Sequence, residues 1–268
     1  FSVSTVSRFL CGKRRYYNQK EKIIFDTANK YNYPYIQNFY NNGIKLKISL
    51  ITTIRKGEFF SALLSDFHIA AKNSNCDIEV IDIEKNDFLN NKIEPLAKNK
   101  DGLCILFPDL NKEDCNIIES YINKIPILSL SPIIDASVNT ITFDNYKGGY
   151  LAAQHLKKLG YDNIGIISGD DTVFEAFQRK NGFMDYLRSN NMKCQWEFKG
   201  DYSLESGNQA FIDFQSSKVS NIGIFGVNDY MCFGFMKLAL LSGINIPEKL
   251  SIIGFDNTPF CNNTIPEL

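Results

Sequence analysis

From Lys47 onward, short apolar segments rich in β-branched residues alternate with longer segments whose apolar residues recur at helical spacing. This alternation is typical of βαβ units, in which parallel strands form a sheet and helices cover its faces. Residues 164–167 have the composition of a strand buried on both faces, and the apolar positions between Phe60 and Ala71 form one helical stripe. The sequence therefore predicts an α/β fold of doubly wound parallel sheets.

The same alternation predicts the order of the elements. Strands are expected near 47–53, 77–83, 102–107, 126–130, 139–143, 163–168, 194–199, 221–226 and 250–255. Helices are expected near 58–74, 87–98, 112–123, 145–160, 174–190, 204–216 and 228–242. A strand ends and a long helix begins at Asp144-Asn145, so we expect two α/β lobes at 47–144 and 145–268.

The first 46 residues differ from this body. Short helices are expected at 2–10 and at about 19–31, on either side of a basic turn. Residues 1–56 contain 11 Lys and Arg against 2 Asp and Glu, which leaves 18 basic and 28 acidic residues in the rest of the chain. A basic head on an acidic body indicates contact with a polyanion, and a solvated basic arm is the open alternative.

Several other classes of protein find no support in the sequence. The seven cysteines are odd in number and form no C-x-x-C pair, which is typical of reduced thiols rather than a secreted disulfide scaffold. No apolar run approaches the roughly 18 residues of a membrane span. The two histidines, His68 and His155, have no partner at metal-ligand spacing, and no nucleotide-binding glycine motif or nucleophile elbow occurs. We therefore expect no metal, no cofactor, no membrane contact and no enzyme.

The string V-S-T-V-S-R-F-L, which follows Ser2, resembles the recognition helix of the LacI/GalR family of bacterial transcription repressors. The resemblance implies that residues 1–46 form part of a helix-turn-helix head and hinge that binds operator DNA. Arg8 is then expected to pair with a guanine in the major groove, and Tyr40 to replace a hinge leucine in the minor groove. The residues expected to contact DNA are Ser2, Val3, Ser4, Thr5, Ser7, Arg8 and Tyr40.

The resemblance continues along the body through short motifs that follow the predicted strands. The family's body is similar to periplasmic sugar-binding proteins, so the resemblance implies two lobes that close on a small ligand. The motifs are Phe143-Asp144-Asn145 before Gly148-Gly149, Ser168-Gly169-Asp170, Gly200-Asp201-Tyr202, Asn228-Asp229 before Gly234, and Gly254-Phe255-Asp256-Asn257.

Position by position, the resemblance implies an effector pocket with aromatic walls and polar groups at the strand ends. The aromatic residues would cover the ligand faces, the aspartates and the asparagine would hydrogen-bond to it, and the arginine would bind a hydroxyl, phosphate or carboxylate. Core packing, helix or turn capping and a solvated face are the respective open alternatives. The residues expected to contact the effector are Phe59, Phe60, Asp144, Arg179, Tyr202, Asn228 and Asp256.

The chain departs from the family pattern at both ends. No helix precedes the recognition helix, and the family's chain continues beyond the segment that matches 264–268, so we expect a fragment truncated at both ends. The resemblance implies a cytoplasmic, ligand-responsive repressor that binds operator DNA as a homodimer and senses a sugar, a sugar phosphate or a purine. A solute-binding protein without a DNA-binding role is the alternative, and the basic head and the cysteines argue against it.

Overall fold

The structure, a computed structural model, describes residues 19–31, 45–53, 58–74, 76–83, 89–107, 110–132 and 138–268. Helices and strands alternate along nearly all of this part of the chain. The strands are β1 (Leu46–Thr52), β2 (Cys76–Asp82), β3 (Gly102–Leu106), β4 (Ile127–Ser129), β5 (Asn139–Thr140), β6 (Asn163–Ser168), β7 (Cys194–Lys199), β8 (Ile222–Gly226) and β9 (Leu250–Ile253). The helices are α1 (Gln19–Lys30), α2 (Glu58–Asn73), α3 (Leu89–Asn99), α4 (Lys112–Glu119), α5 (Asn145–Lys158), α6 (Phe174–Ser189), α7 (Leu204–Ser216) and α8 (Asp229–Leu241).

The chain divides into two compact units, each with its own sheet. Unit 1 comprises Phe1–Thr53, Ser65–Phe107 and Asn111–Thr140. Unit 2 comprises Ile54–Leu64, Pro108–Leu110 and Ile141–Leu268. The lobe boundaries proposed from the sequence, with a head at 1–46 and lobes at 47–144 and 145–268, stay a prediction.

The sheet of unit 1 has the strand order β2-β1-β3-β4-β5, and every pairing is parallel. Within this sheet, Leu50 on β1 lies between Val80 on β2 and Cys104 on β3. The most deeply buried large side chains of this unit are aliphatic, because β-branched residues and leucine fill the space between the sheet and its helices. They include Leu50, Ile51, Ile83, Ile93, Leu103, Ile105, Ile118 and Ile125.

The sheet of unit 2 has the strand order β7-β6-β8-β9 and is also entirely parallel. Every residue of the central strand β8 is buried, as expected for a strand covered on both faces. Helix α5 packs on α6, and α7 packs on α8. These two parallel sheets with alternating helices confirm the predicted α/β fold.

Helices α5 and α6 cross at a point where no side chain fits. A Cβ atom added at Gly182 on α6 would overlap with the carbonyl oxygen of Tyr146 on α5. Glycine at this position therefore lets the two helix backbones approach to direct contact.

The core of unit 2 is aromatic. Phe183 stacks on Phe225 with ring centroids 5.4 Å apart, and Trp196 meets Phe214 edge to face at 5.4 Å. Trp196 is the chain's single tryptophan, and its Nε1–H donates to Asp213 Oδ2 at 2.9 Å. The hydrogen bond satisfies the indole nitrogen at the edge of the core.

Several predicted elements are longer than the observed ones, and for three of them the structure shows why the element ends early. Strand β5 ends at Thr140 rather than at residue 143, because its neighbour β4 ends at Ser129, which pairs with Thr140, and no partner remains beyond it. Strand β9 ends at Ile253 rather than at residue 255, because the next residues form a turn held by a side chain. Helix α4 ends at Glu119 rather than at residue 123. Just after Glu119, the Ser120 hydroxyl donates to the Ile117 carbonyl oxygen.

The described residues include most of the side chains on which the sequence-based expectations about disulfides, membrane spans and metal sites rest. Six of the seven cysteines fall within the described ranges, and all six are free thiols. In the same ranges, no helix is both long and apolar enough to cross a bilayer. No cluster of three or more potential metal-ligating side chains occurs among the residues that the structure describes.

Candidate effector-binding site

Five of the predicted effector residues lie at one edge of the unit 2 sheet or on the helices that start there. Tyr202 follows β7, Asn228 follows β8, and Asp256 follows β9. Arg179 lies on α6, the helix after β6, and Asp144 immediately precedes α5. The strands are parallel, so their carboxyl ends form one edge, which is where open α/β sheets bind ligands.

Arg179 is buried and its guanidinium group is held by several elements. Its Nε–H donates to Asn145 Oδ1 at 2.8 Å, and its Nη1–H donates to the carbonyl oxygen of Val227 at 2.5 Å. The ring of Phe255 covers the guanidinium, with the Cζ atom 3.6 Å from the ring centroid. Burial lowers the pKa of Arg179, and the nearby Asp256 opposes that effect. A solvated face, the alternative for this residue, is wrong, since Arg179 is 8% exposed.

Asp256 supplies the opposite charge. Its Oδ1 lies 3.6 Å from Arg179 Nη1, and both side chains are nearly removed from solvent. Burial raises the pKa of Asp256 from 3.8 to about 6, while Arg179 acts in the opposite direction and Asp229 adds to the rise. At neutral pH the carboxylate is therefore an acceptor whose negative charge is only partly compensated, which suits it to donors such as ligand hydroxyl or amine groups.

Asn228 and Tyr202 are joined by a hydrogen bond. The Asn228 side chain caps α8 by accepting from the backbone N–H of Met231 at 3.1 Å, and its Nδ2–H donates to the Tyr202 carbonyl oxygen at 3.1 Å. Tyr202 has a φ of 70°, in the left-handed region that non-glycine residues seldom adopt. Asn228 thus stabilises a strained backbone position that sets the direction of the tyrosine side chain.

The remaining predicted residues have other contacts. Asp144 is exposed and caps α5 by accepting from the backbone N–H of Lys147 at 2.9 Å, which is its capping alternative. Phe59 and Phe60 lie in the first turn of α2 and meet edge to face at 5.6 Å. The direct contacts therefore join Arg179 with Asp256 and Asn228 with Tyr202, while Asp144 adjoins the first pair through its neighbour Asn145.

The predicted DNA-contacting residues lie outside the described residues. Their assignment stays a prediction, and it concerns Ser2, Val3, Ser4, Thr5, Ser7, Arg8 and Tyr40. Helix α1, which the sequence places at about 19–31, is observed at Gln19–Lys30.

Sequence reasoning missed the residues that hold the arginine. Asn145, Phe255 and Asp229 appeared in the motifs but received no role, and Val227 acts through its carbonyl oxygen, which no side-chain pattern reveals. One signal was available for Asp229. It is a carboxylate in the first turn of a helix in which Lys237 is the one other charged residue, a position where an unpartnered charge would be costly.

Comparison with known proteins decides the family. A family model described as "Periplasmic binding proteins and sugar binding domain of LacI family" matches residues 45–259. The chain belongs to the LacI family. The resemblance seen in the sequence is thereby confirmed, and the two parallel sheets are those of a LacI-family effector domain.

The relatives of this LacI-family chain are transcriptional regulators. The chain is 25% identical over 264 residues to the HTH-type transcriptional repressor PurR of Mannheimia succiniciproducens, covering 96% of this chain and 78% of that protein. It is 29% identical over 173 residues to the lactose operon repressor of Escherichia coli, covering 65% and 48% of the two chains. Among solved structures, the lactose repressor bound to the anti-inducer ONPF superposes with a TM-score of 0.75 at 25% identity, covering 83% of this chain and 84% of that one.

Proposed function

We propose that this protein is a transcriptional repressor that binds operator DNA and responds to a small-molecule effector. The observation that carries the proposal is the match of the LacI-family model to residues 45–259, together with the buried Arg179 and Asp256 pair at the carboxyl edge of the unit 2 sheet. Buried ionic groups that converge on the edge of a sheet are typical of ligand sites.

The effector is a sugar, a sugar phosphate or a purine, with a sugar preferred. Asp256 offers carboxylate oxygens to hydroxyl hydrogens, and the hydrogen bonds that Arg179 makes to the described residues involve its Nε and Nη1 atoms rather than Nη2. Phe59, Phe60 and Tyr202 would cover the ligand faces, with Asp144 and Asn228 as further polar contacts. Relatives support this class: one repressor structure holds the anti-inducer ONPF, and a LacI-family regulator from Enterococcus faecium holds ribose.

The DNA-binding part of the proposal rests on the amino-terminal head and on an assembly of two chains. Arg8 would read a guanine, while Ser2, Val3, Ser4, Thr5 and Ser7 would line the major groove or contact phosphates, and Tyr40 would enter the minor groove. A solved lac repressor is described as dimeric. A homodimer of this chain would present two heads to a near-palindromic operator.

The proposed protein acts by binding and not by catalysis, in the cytoplasm. Effector and operator are coupled only if the effector's affinity differs between the DNA-competent and DNA-incompetent states. A solute-binding protein is the second candidate, because the matching family model also covers periplasmic binding proteins. The basic residues near the amino terminus favour the repressor.

The effector arm of the test is a calorimetric and thermal-shift screen against pentoses, hexoses, disaccharides, sugar phosphates and purines. A ligand at one hundred times its dissociation constant raises the free energy of unfolding by about 2.7 kcal/mol. Asp256→Asn should abolish binding of any hit. Asp162→Asn, which alters a carboxylate that is 87% exposed in the same unit, should leave it unchanged. Equal binding by both variants would contradict the site.

The DNA arm selects bound sequences from random duplexes and measures their affinity with and without the hit. Arg8→Ala should lower the affinity for the selected operator by about 1–3 kcal/mol and relax its sequence preference. Failure to select any sequence, together with retained ligand binding, would support the solute-binding alternative.

A further inference from the structure

Asp229 is a buried carboxylate to which the proposed function gives no role. It lies in the first turn of α8, is 2% exposed, and both of its oxygens accept hydrogen bonds. Oδ1 accepts from the backbone N–H of Phe255 at 2.9 Å, and Oδ2 accepts from the backbone N–H of Thr258 at 2.8 Å. The Cys261 thiol donates to Oδ2 as well, at 3.1 Å. All the described contacts of this carboxylate are thus directed at the segment that follows β9.

That segment carries two of the groups that surround Arg179. The Phe255 ring lies 3.6 Å from the guanidinium carbon, and Asp256 Oδ1 lies 3.6 Å from Nη1. Because Phe255 and Asp256 are adjacent, the backbone position that Asp229 holds determines where both side chains meet the arginine. The Asp229 carboxylate, which follows β8, therefore fixes the positions of Phe255 and Asp256, which follow β9.

The backbone around the Asp229 carboxylate fits its position. A Cβ atom added at Gly254, the residue after β9, would overlap with Asp229 Oδ1, so the absence of a side chain there leaves room for the carboxylate. Asn257, inside the turn, has a φ of 52°, in the left-handed region. Since the turn lies beyond the end of β9, the two hydrogen bonds to Asp229 replace those that a neighbouring strand would supply. The partly positive amino end of α8 favours a carboxylate at this place.

We propose that Asp229 is a positioning residue that sets Phe255 and Asp256 against Arg179 and thereby controls the affinity for the effector. It contacts the turn from within the protein, and Asp256 is the group that meets the ligand. The effect on affinity rests on the proposed function, whereas the effect on the turn does not.

Asp229→Asn tests the contact with almost no change of shape. The amide keeps one acceptor oxygen but turns an NH2 group toward a backbone N–H, so one of the two backbone hydrogen bonds is lost. In the protein without ligand, we expect the amide hydrogens of Phe255 and Thr258 to exchange at least tenfold faster. The NMR resonance of the Arg179 Nε–H should move as the Phe255 ring leaves the guanidinium. Unchanged exchange and an unchanged Arg179 resonance would overturn the proposal.

Asp213→Asn is the matched control. It also removes a carboxylate partner from a hydrogen bond in unit 2, the one donated by Trp196, so it reproduces a general loss of stability. It should leave the Arg179 resonance and the two turn amides unaltered. If Asp213→Asn changes them as much as Asp229→Asn does, the role of Asp229 is merely structural and the proposal is wrong.

Cys261→Ala decides the matter if Asp229→Asn does not fold, because it removes only the thiol donor. A smaller change at the same two amides and at Arg179 is expected, and no change there would count against the proposal.

The effector arm uses the sugar or purine with the highest affinity in the screen. Its dissociation constant should rise at least tenfold in Asp229→Asn and stay unchanged in Asp213→Asn. A screen without hits would contradict the proposed function but leave the measurements on the free protein decisive for Asp229.

Discussion

Among the residues that the structure describes, both units bury hydroxyl groups, but only unit 2 also buries charged and amide side chains. Among the described residues of unit 1, the buried polar side chains are hydroxyls, namely those of Ser49, Thr52, Ser129 and Ser131. Unit 2 also buries the hydroxyls of Ser168, Ser251 and Thr258, but in addition it buries charged and amide side chains, namely Asn145, Arg179, Asn228 and Asp229. Both units are parallel sheets with helices between the strands, so the difference lies in their side chains and not in their topology.

The difference shows how each kind of group is satisfied. A buried hydroxyl needs one neighbour, and Ser129 Oγ–H donates to the carbonyl oxygen of Ser131, two residues away. A buried guanidinium needs several partners, and Arg179 takes them from α5, the end of β8 and the turn after β9. A buried charged group is therefore held in place only when several elements are present, as they are at the edge of unit 2 where we propose that the effector binds.

The largest expected effect is that of removing the charge on Arg179. Arg179→Met leaves the Asp256 carboxylate and the Val227 carbonyl oxygen without their partner, and losing one member of a buried pair costs about 3–5 kcal/mol. Urea unfolding followed by circular dichroism measures the change. The loss should be smaller at pH 5 than at pH 7.5, because Asp256 then takes up a proton. Lys98→Met, which breaks an exposed ion pair with Glu94 in unit 1, should change nothing measurable.

The second effect is a pH dependence that belongs to unit 2. The folded-state pKa of Asp256 is about 6 and its unfolded value is 3.8, so the folded protein binds this proton more tightly. The contribution of Asp256 to stability is therefore fully present below pH 4 and is lost as the pH rises through 6, by about 3 kcal/mol in total. Relative to the unaltered chain, Asp256→Asn should gain that amount between pH 4 and pH 7.5. A constant difference across this range would refute the assignment.

The third effect concerns backbone contact between helices. Gly182→Ala places a methyl group where α5 and α6 touch, and the obstacle is a backbone carbonyl that cannot rotate away, so we expect a loss of about 2 kcal/mol. The unit 1 counterpart is Gly102→Ala, where the nearest heavy atom would be the Pro126 carbonyl oxygen at an ordinary 3.7 Å. Equal melting temperatures for the two variants would show that the helices separate easily.

The smallest effect should have the opposite sign. Ser131 Oγ in unit 1 is buried and has no hydrogen-bond partner among the described residues. Ser131→Ala removes a polar atom that the fold does not satisfy, and we expect a gain of up to about 1 kcal/mol in the free energy of unfolding. A loss would indicate that the hydroxyl takes part in a contact of its own.

Most strands and helices could be predicted from the sequence, because burial leaves a strong periodic pattern of apolar residues. Strands β6 and β7 were predicted at their observed limits. In β6, apolar β-branched residues mark a strand covered by helices. The errors at β5 and β9 arose where a strand ends for lack of a neighbour, which depends on another segment of the chain. The placement of Arg179 among the effector-contacting residues came from the family resemblance. Nothing in the local pattern around Gln178 and Lys180 reveals that the arginine between them is buried.

The hydrogen bond between Trp196 and Asp213 gives the molecule an internal optical probe. Trp196 is the only tryptophan, and it lies in the aromatic core of unit 2, so tryptophan emission reports the folding of that unit and is silent about unit 1. Circular dichroism responds to the helices of both units. If the two signals follow separate denaturation curves, the units unfold in two steps, and if the curves coincide, the molecule unfolds as a single cooperative body.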